Sequence, residues 1–146
     1  GVYNNYWVLI FSYPENSHTE DYRQEVLDLV NAQRAKYGLT ALEMGDDDLT
    51  AAAQTRAEEI AVVNSHVRPD GSKCFTVLKD YGVTDTPTGE NAAWGSVSPE
   101  EVVNAWMNSE GHRANILNPE ARKMSVGYYY NSNSTWGHQW IQIFTK

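Results

Sequence analysis

The order in which two kinds of hydrophobic pattern follow each other along this chain limits its fold more than any other feature. Apolar residues at helical spacing fill the N-terminal part, whereas aromatic and β-branched residues fill two C-terminal runs, 126–130 and 138–144. The segment 131–137 between these runs is polar and rich in turn residues, which predicts an antiparallel hairpin. Helices first and strands last, without alternation, predict an α+β domain.

Capping signals and helix-stopping residues mark where the helices begin and end. The first predicted helix begins at a capping box over residues 17–20 and ends near Gly38, the second covers residues 48–64, and the third begins at Ser98 with Pro99 at its first position. A short helix is expected over 72–81. The segment 83–96 is rich in Thr, Gly and Pro and is interpreted as a loop. We expect residues 1–18 to form a strand or extension followed by a linker, and residues 19–146 to form one domain.

Charge and hydropathy disfavour two classes of partner. The chain has 11 basic and 19 acidic residues and a net charge of −8, so most of its surface repels a nucleic-acid backbone. No apolar run reaches the ~18 residues that a membrane helix needs. We also expect the protein to be a monomer. The chain begins at Gly1 without Met, which suggests a processed or trimmed fragment of a longer protein.

A single cysteine, Cys74, makes an intrachain disulfide impossible. The preferred interpretation is a small buried hydrophobic residue, and a thiol nucleophile is the lesser alternative.

Three of the four histidines stand next to predicted breaks in local structure. His66 precedes a Pro-Asp-Gly turn, His112 follows Gly111 and His138 follows Gly137. Such breaks bring side chains to pocket rims, where binding and catalytic residues concentrate. For each histidine alone, a satisfied polar residue is the simpler interpretation.

Two glutamates are candidate partners for these imidazoles. Glu90 lies between Gly89 and Asn91, a turn that can aim it inward, and Glu110 stands two residues before His112. Imidazole with carboxylate suits zinc or a proton-transfer pair, but the chain has no His-x-x-x-His and no Cys-x-x-Cys. No motif supports a Ser–His–Glu set, and backbone capping is the preferred role for the serines near these residues.

Taken in order, these motifs resemble a known family. The segments that carry the resemblance are 30–34 (VNAQR), 65–71 (SHVRPDG), 89–91 (GEN), 105–117 (AWMNSEGHRANIL) and 126–127 (VG). The sequence resembles a CAP domain (cysteine-rich secretory, antigen 5, pathogenesis-related) of the bacterial, disulfide-free branch. The resemblance runs from about Tyr22 to about Phe144, nearly the whole chain.

The resemblance implies a three-layer α-β-α sandwich with a small antiparallel sheet between helices, and secretion or display outside the cell. It also implies a central cleft with two histidines and two glutamates, which binds a divalent metal in some members. Matched by motif, the cleft residues are His66, Glu90, Glu110 and His112, with His138 as a less favoured alternative to His112. Zinc or a similar cation is expected at His66 and His112.

Three functions are compatible with this resemblance. The favoured one is a secreted binding module whose cleft holds a small apolar, lipid, peptide or wall-derived ligand, because abundant aromatic residues suit an apolar groove. The second is a metal-dependent, protease-like hydrolase that uses the same cleft, with Glu90 or a histidine as general base and a metal-bound water as nucleophile. The third is a structural surface-interaction domain with an inert cleft.

Overall fold

Four strands form one sheet between two groups of helices in the computed structural model, which describes residues 19–146. In chain order the elements are α1 (Thr19–Lys36), β1 (Glu43–Met44), α2 (Asp47–Ile60), α3 (Thr76–Asp80), β2 (Pro87–Trp94), α4 (Pro99–Met107), α5 (Glu110–Ile116), β3 (Lys123–Tyr130) and β4 (His138–Thr145). The α+β architecture inferred from the sequence is confirmed. The expected N-terminal strand and linker lie outside the described residues.

The sheet has the strand order β1-β3-β4-β2. The predicted hairpin is confirmed as β3 and β4, which pair antiparallel from Lys123 with Thr145 to Tyr130 with His138. Strand β2 adds antiparallel to β4, whereas the two-residue β1 pairs parallel to β3. The sheet is therefore mixed, with β2 at one edge.

The prediction of a loop over residues 83–96 is wrong, because most of this segment forms strand β2. Its sequence does not alternate between apolar and polar residues, since Glu90 and Asn91 are both buried polar side chains. Their partners lie on other elements, and local pattern rules do not include such partners.

Each face of the sheet packs against its own helices. The larger apolar cluster joins α1, α4 and α5 to one face through Met124, Val126, Tyr128, Trp140 and Phe144. The other cluster joins α2 and α3 to Ala92, Ile141 and Ile143 on the opposite face. At Gly127 of β3, an added Cβ would lie 2.1 Å from the carbonyl oxygen of Ala53, so α2 packs directly on the strand backbone.

The predicted start of α4 and the predicted end of α1 are confirmed, whereas the end of the second helix and the start of the short helix differ from the prediction. Ser98 caps α4 by accepting a hydrogen bond from the backbone N–H of Glu101, whose carboxylate accepts one from the N–H of Val97. The second helix ends at Ile60 rather than near residue 64, and the short helix covers only Thr76–Asp80. Gly111 lies inside α5, and the break falls before it, between Met107 and Glu110.

Side chains cover the backbone of the edge strand β2. The Nδ2 of Asn115 in α5 donates to the carbonyl oxygen of Glu90, and the Nε1 of Trp106 in α4 donates to that of Ala92, at 3.3 and 3.1 Å. Within residues 19–146, no helix is both long and apolar enough to cross a membrane.

Candidate functional site

The centre of the site is a buried ion pair between α2 and β2. Arg56 lies on the buried face of α2, and Glu90 projects from β2 toward that helix, with its side chain only 2% exposed. The Nε of Arg56 is 2.8 Å from Oε2 of Glu90, and Nη2 is 3.2 Å from Oε1. Burial raises the pKa of Glu90, but hydrogen bonds from His66 and Arg56 outweigh it and hold that pKa below its usual range. Glu90 is therefore an anion that only accepts hydrogen bonds.

His66 extends this pair to the protein surface. Its Nδ1 is 2.8 Å from Oε1 of Glu90, while its side chain is 54% exposed. Because the carboxylate only accepts, Nδ1 carries the proton. Its Nε2 has no hydrogen-bond partner in the described part of the chain. The hydrogen bond with Glu90 raises the pKa of His66 and favours its protonated form, in which Nε2–H is a donor as well.

A second layer of ion pairs fixes the chain around His66. Arg56 also binds Glu59 (2.8 Å) and donates to the carbonyl oxygen of Ser65 (3.0 Å). Glu59 in turn binds Arg68, which reaches Asp80 in α3, both at 2.8 Å. The segment between α2 and α3 is thus held on both sides of His66, which limits the positions that its ring can adopt.

His112 stands on the other side of strand β2. It lies in α5, and its Nδ1 is 2.9 Å from the hydroxyl oxygen of Ser109. The Nδ2 of Asn91 donates to the backbone carbonyl oxygen of His112, and the Nδ2 of Asn115 donates to Oδ1 of Asn91. Burial, and then the charge of His66, lower the pKa of His112, so its ring is neutral near pH 7. The two histidines therefore lie close enough to interact, and their pKa values are shifted in opposite directions.

Gly89 contributes to this arrangement for a different reason from the one expected. It is a strand residue without a positive φ, next to a shift in the pairing register between Pro87 and Gly89, so it is not a turn that aims Glu90 inward. An added Cβ would lie 2.5 Å from Oδ1 of Asn115. The missing side chain leaves room for Asn115 beside the edge strand.

The structure does not bring two of the sequence-predicted residues into this cluster. Glu110 is exposed at the start of α5 and has no hydrogen bond or ion pair among residues 19–146. His138 begins β4, five residues along the strand from Ile143, the pairing partner of Glu90. Its Nδ1 binds the hydroxyl of Tyr128 at 2.7 Å, and its ring packs against Tyr130.

Comparison with known proteins identifies the fold. Residues 27–144 match the family described as CAP, cysteine-rich secretory protein family. The chain belongs to the CAP family. YkwD of Bacillus subtilis is 41% identical to this CAP domain over 127 residues, which are 86% of this chain and 49% of YkwD.

Two solved structures share the architecture. An extracellular SCP-domain protein of Bacillus anthracis superimposes with a TM-score of 0.76 at 26% identity, over 88% of this chain and 41% of that protein. An outer surface protein of Borrelia burgdorferi gives a TM-score of 0.69 at 25% identity, over 84% of this chain and 90% of that protein. The chain spans about half the length of YkwD and less than half of the Bacillus anthracis protein.

Several residues around Glu90 were not predicted from the sequence, and Arg56 is the most important. It occupies a core position of the α2 stripe between small apolar residues, and an arginine there signals a buried anionic partner. The partners Glu59, Arg68 and Asn115 gave no such local signal. Cys74 is buried beside Glu90, and burial, together with that charge, raises the pKa of the thiol to about 11. The thiol is therefore protonated at neutral pH and unsuited to act as a nucleophile.

The residues around Glu90 offer a poor donor set for zinc. Arg56 already binds both oxygens of Glu90, and its charge opposes a second cation. The described residues contain no group of three or more His, Cys, Asp or Glu that could hold a metal ion. Zinc at His66 and His112 stays a prediction. Calorimetric titration of the wild type and of His66→Ala tests it, since only a site that includes His66 loses zinc binding in the variant.

The two histidines are expected to titrate on opposite sides of the ordinary value of 6.5. Proton NMR of the imidazole rings should show His66 above that value and His112 below it. Glu90→Gln should lower the pKa of His66, because the hydrogen bond to Glu90 is the main cause of its upward shift.

Since the folded state raises this pKa, the stabilisation by protonated His66 is complete below pH 6.5 and is lost as pH rises through the folded-state pKa. Equal pKa values for both rings would contradict the geometry.

Proposed function

We propose that this CAP domain acts outside the cell as a binding module, and that its cleft binds a peptide or wall-derived ligand. The observation that carries the proposal is the state of His66, a half-exposed imidazole anchored at Nδ1 by a buried carboxylate. An anchored ring presents Nε2 at low entropic cost, which favours binding of a hydrogen-bond acceptor such as a carbonyl or carboxylate. The extracellular location is supported by the two solved relatives, of which one is an extracellular protein and the other an outer surface protein.

Apolar residues beside His66 support a ligand with an apolar part. Val62, Val63 and Val67 lie on the same segment as His66 and are exposed. Pockets for small ligands combine apolar surface with a few fixed polar groups. A peptide or muropeptide, with amide carbonyls and short aliphatic side chains, matches both features.

The test is an NMR titration with muropeptides released from bacterial cell wall by lysozyme. Saturable shifts of the His66 and His112 ring signals are expected, and the His138 signals serve as an internal control because that ring lies away from the cleft. Binding should weaken about tenfold in His66→Ala, which removes a charged hydrogen bond. The absence of saturable shifts at His66 would contradict the proposal and favour a structural domain with an inert cleft.

A hydrolase is the second candidate, because a serine lies within hydrogen-bonding distance of a neutral histidine. Ser109 precedes α5, but its hydroxyl does not cap that helix and instead lies 2.9 Å from Nδ1 of His112. A neutral imidazole can accept the hydroxyl proton as the oxygen attacks an ester or amide carbonyl. In the protonated form of His66, which its raised pKa favours, Nε2–H is a candidate donor to the oxygen that becomes negative.

A fluorophosphonate probe distinguishes the two candidates. The hydrolase predicts covalent labelling at Ser109 with a rate that rises as His112 loses its proton, below pH 6.5 because its pKa is lowered. Ser109→Ala should abolish labelling, while Ser132→Ala, at an exposed turn, should not change it. Mass spectrometry of the intact protein measures the labelling. If the mass shows no added label while the His66 signals still respond to muropeptides, the hydrolase is contradicted and only the binding module is supported.

A further inference from the structure

A second concave site lies away from the histidines, between α3 and the segment 83–87 that leads into β2. It is a groove of about 590 Å³. Its lining is mainly apolar and includes Phe75, Leu78, Val83 and Pro87, whereas His66, Glu90 and His112 do not line it. Its volume lies within the range of about 300–1,000 Å³ that is typical of small-molecule sites.

Two lysines at this groove have no ionic partner. Lys73 and Lys79 are exposed lining residues, and neither forms an ion pair or a side-chain hydrogen bond among residues 19–146. The one acidic lining residue, Asp85, is bound by Lys123 at 3.1 Å. The groove therefore combines apolar walls with two unpaired positive charges, although the chain as a whole carries a net charge of −8.

We propose that this groove binds a small amphipathic organic anion from solution. The apolar body of the ligand lies against Phe75, Val83 and Pro87, and its anionic head group lies between Lys73 and Lys79. Charge complementarity supports this class, because a cationic ligand meets two like charges there and a neutral ligand gains nothing from them. His66, Glu90 and His112 do not line this groove, so the two proposals can fail separately.

A pair of fluorescent probes tests the proposal. 1-Anilinonaphthalene-8-sulfonate carries an anionic group on an apolar ring system, and N-phenyl-1-naphthylamine has the same rings without the charge. We expect saturable binding of the anionic probe with one site per chain. The variant Lys73→Gln/Lys79→Gln should bind the anionic probe about tenfold more weakly and change binding of the neutral probe less than about twofold.

Three further variants locate the site. Thr84→Trp, at an exposed lining residue, should fill the groove and abolish binding of both probes. Lys36→Gln removes the same charge at the end of α1, and His66→Ala removes a side chain that does not line the groove, so both should bind like the wild type. Thermal unfolding followed by circular dichroism confirms that each variant is folded. Unchanged binding in the lysine double variant, full binding in Thr84→Trp, or no saturable binding at all would overturn the proposal.

Discussion

Arg56→Ala is expected to lower the free energy of unfolding by about 3–5 kcal/mol, the range for removing one partner of a buried ion pair. The substitution leaves Glu90 buried with a single charged partner, His66, and removes the donor to the carbonyl oxygen of Ser65. Urea denaturation at pH 7 measures the effect. A matched control is Lys146→Ala, which breaks the exposed pair with Glu120 and should cost at most about 1 kcal/mol.

The double variant Arg56→Met/Glu90→Gln separates an orphaned charge from lost packing. If the uncompensated carboxylate causes most of the loss, the double variant is destabilised by less than the sum of the two single variants. Additive effects, or a loss below about 1 kcal/mol in Arg56→Ala, would show that water reaches Glu90 and that the pair is not a buried one.

Gly127→Ala is expected to cost about 3 kcal/mol or more, at or above the upper end for overpacking. The added Cβ would lie 2.1 Å from the carbonyl oxygen of Ala53 and 2.8 Å from Cα of Gln54. Both atoms belong to the backbone of α2, so no side-chain rotation relieves the clash and the whole helix must move off β3. Chemical denaturation measures the loss, and the absence of a cooperative transition counts as the same result.

Gly111→Ala is the matched control for that substitution. An added Cβ at Gly111 meets no atom within 4 Å, and the residue lies inside α5. Alanine is therefore expected to stabilise the protein by up to about 1 kcal/mol. Equal effects of the two substitutions would contradict the close approach of α2 to the sheet.

The fold was predictable from the sequence where one element carries its own pattern. The hairpin of β3 and β4 has two aromatic, β-branched runs and a polar turn, and α4 has Ser98, Pro99 and Glu101 at its start. Strand β2 was not predictable in this way. Its buried polar residues are stabilised by Arg56, His66 and Gln142, which come from distant parts of the sequence.

The candidate site was predictable only as far as its motifs. The resemblance named His66, Glu90 and His112. In the structure, Glu90 is hydrogen-bonded to His66. His112 does not contact Glu90, but it lies near enough to His66 for the charge of that ring to lower its pKa. Spacing along the chain could not decide about Glu110, because its direction depends on which turn of α5 faces the sheet. Arg56 is the one member that its position in the sequence could have revealed. It lies in the apolar stripe of α2, and a charged residue buried in such a stripe needs a buried partner.

The cover over β2 also affects how this domain behaves at high concentration. An uncovered edge strand is a template for pairing with another chain, and such pairing leads to aggregation. Asn115 of α5 and Trp106 of α4 each donate to a carbonyl of this edge, so these two helices block intermolecular sheet extension. Any ligand or substitution that moves α5 away from β2 would therefore expose unpaired backbone groups of this edge strand. Ligand binding near His112 is thus linked to the tendency of the protein to aggregate.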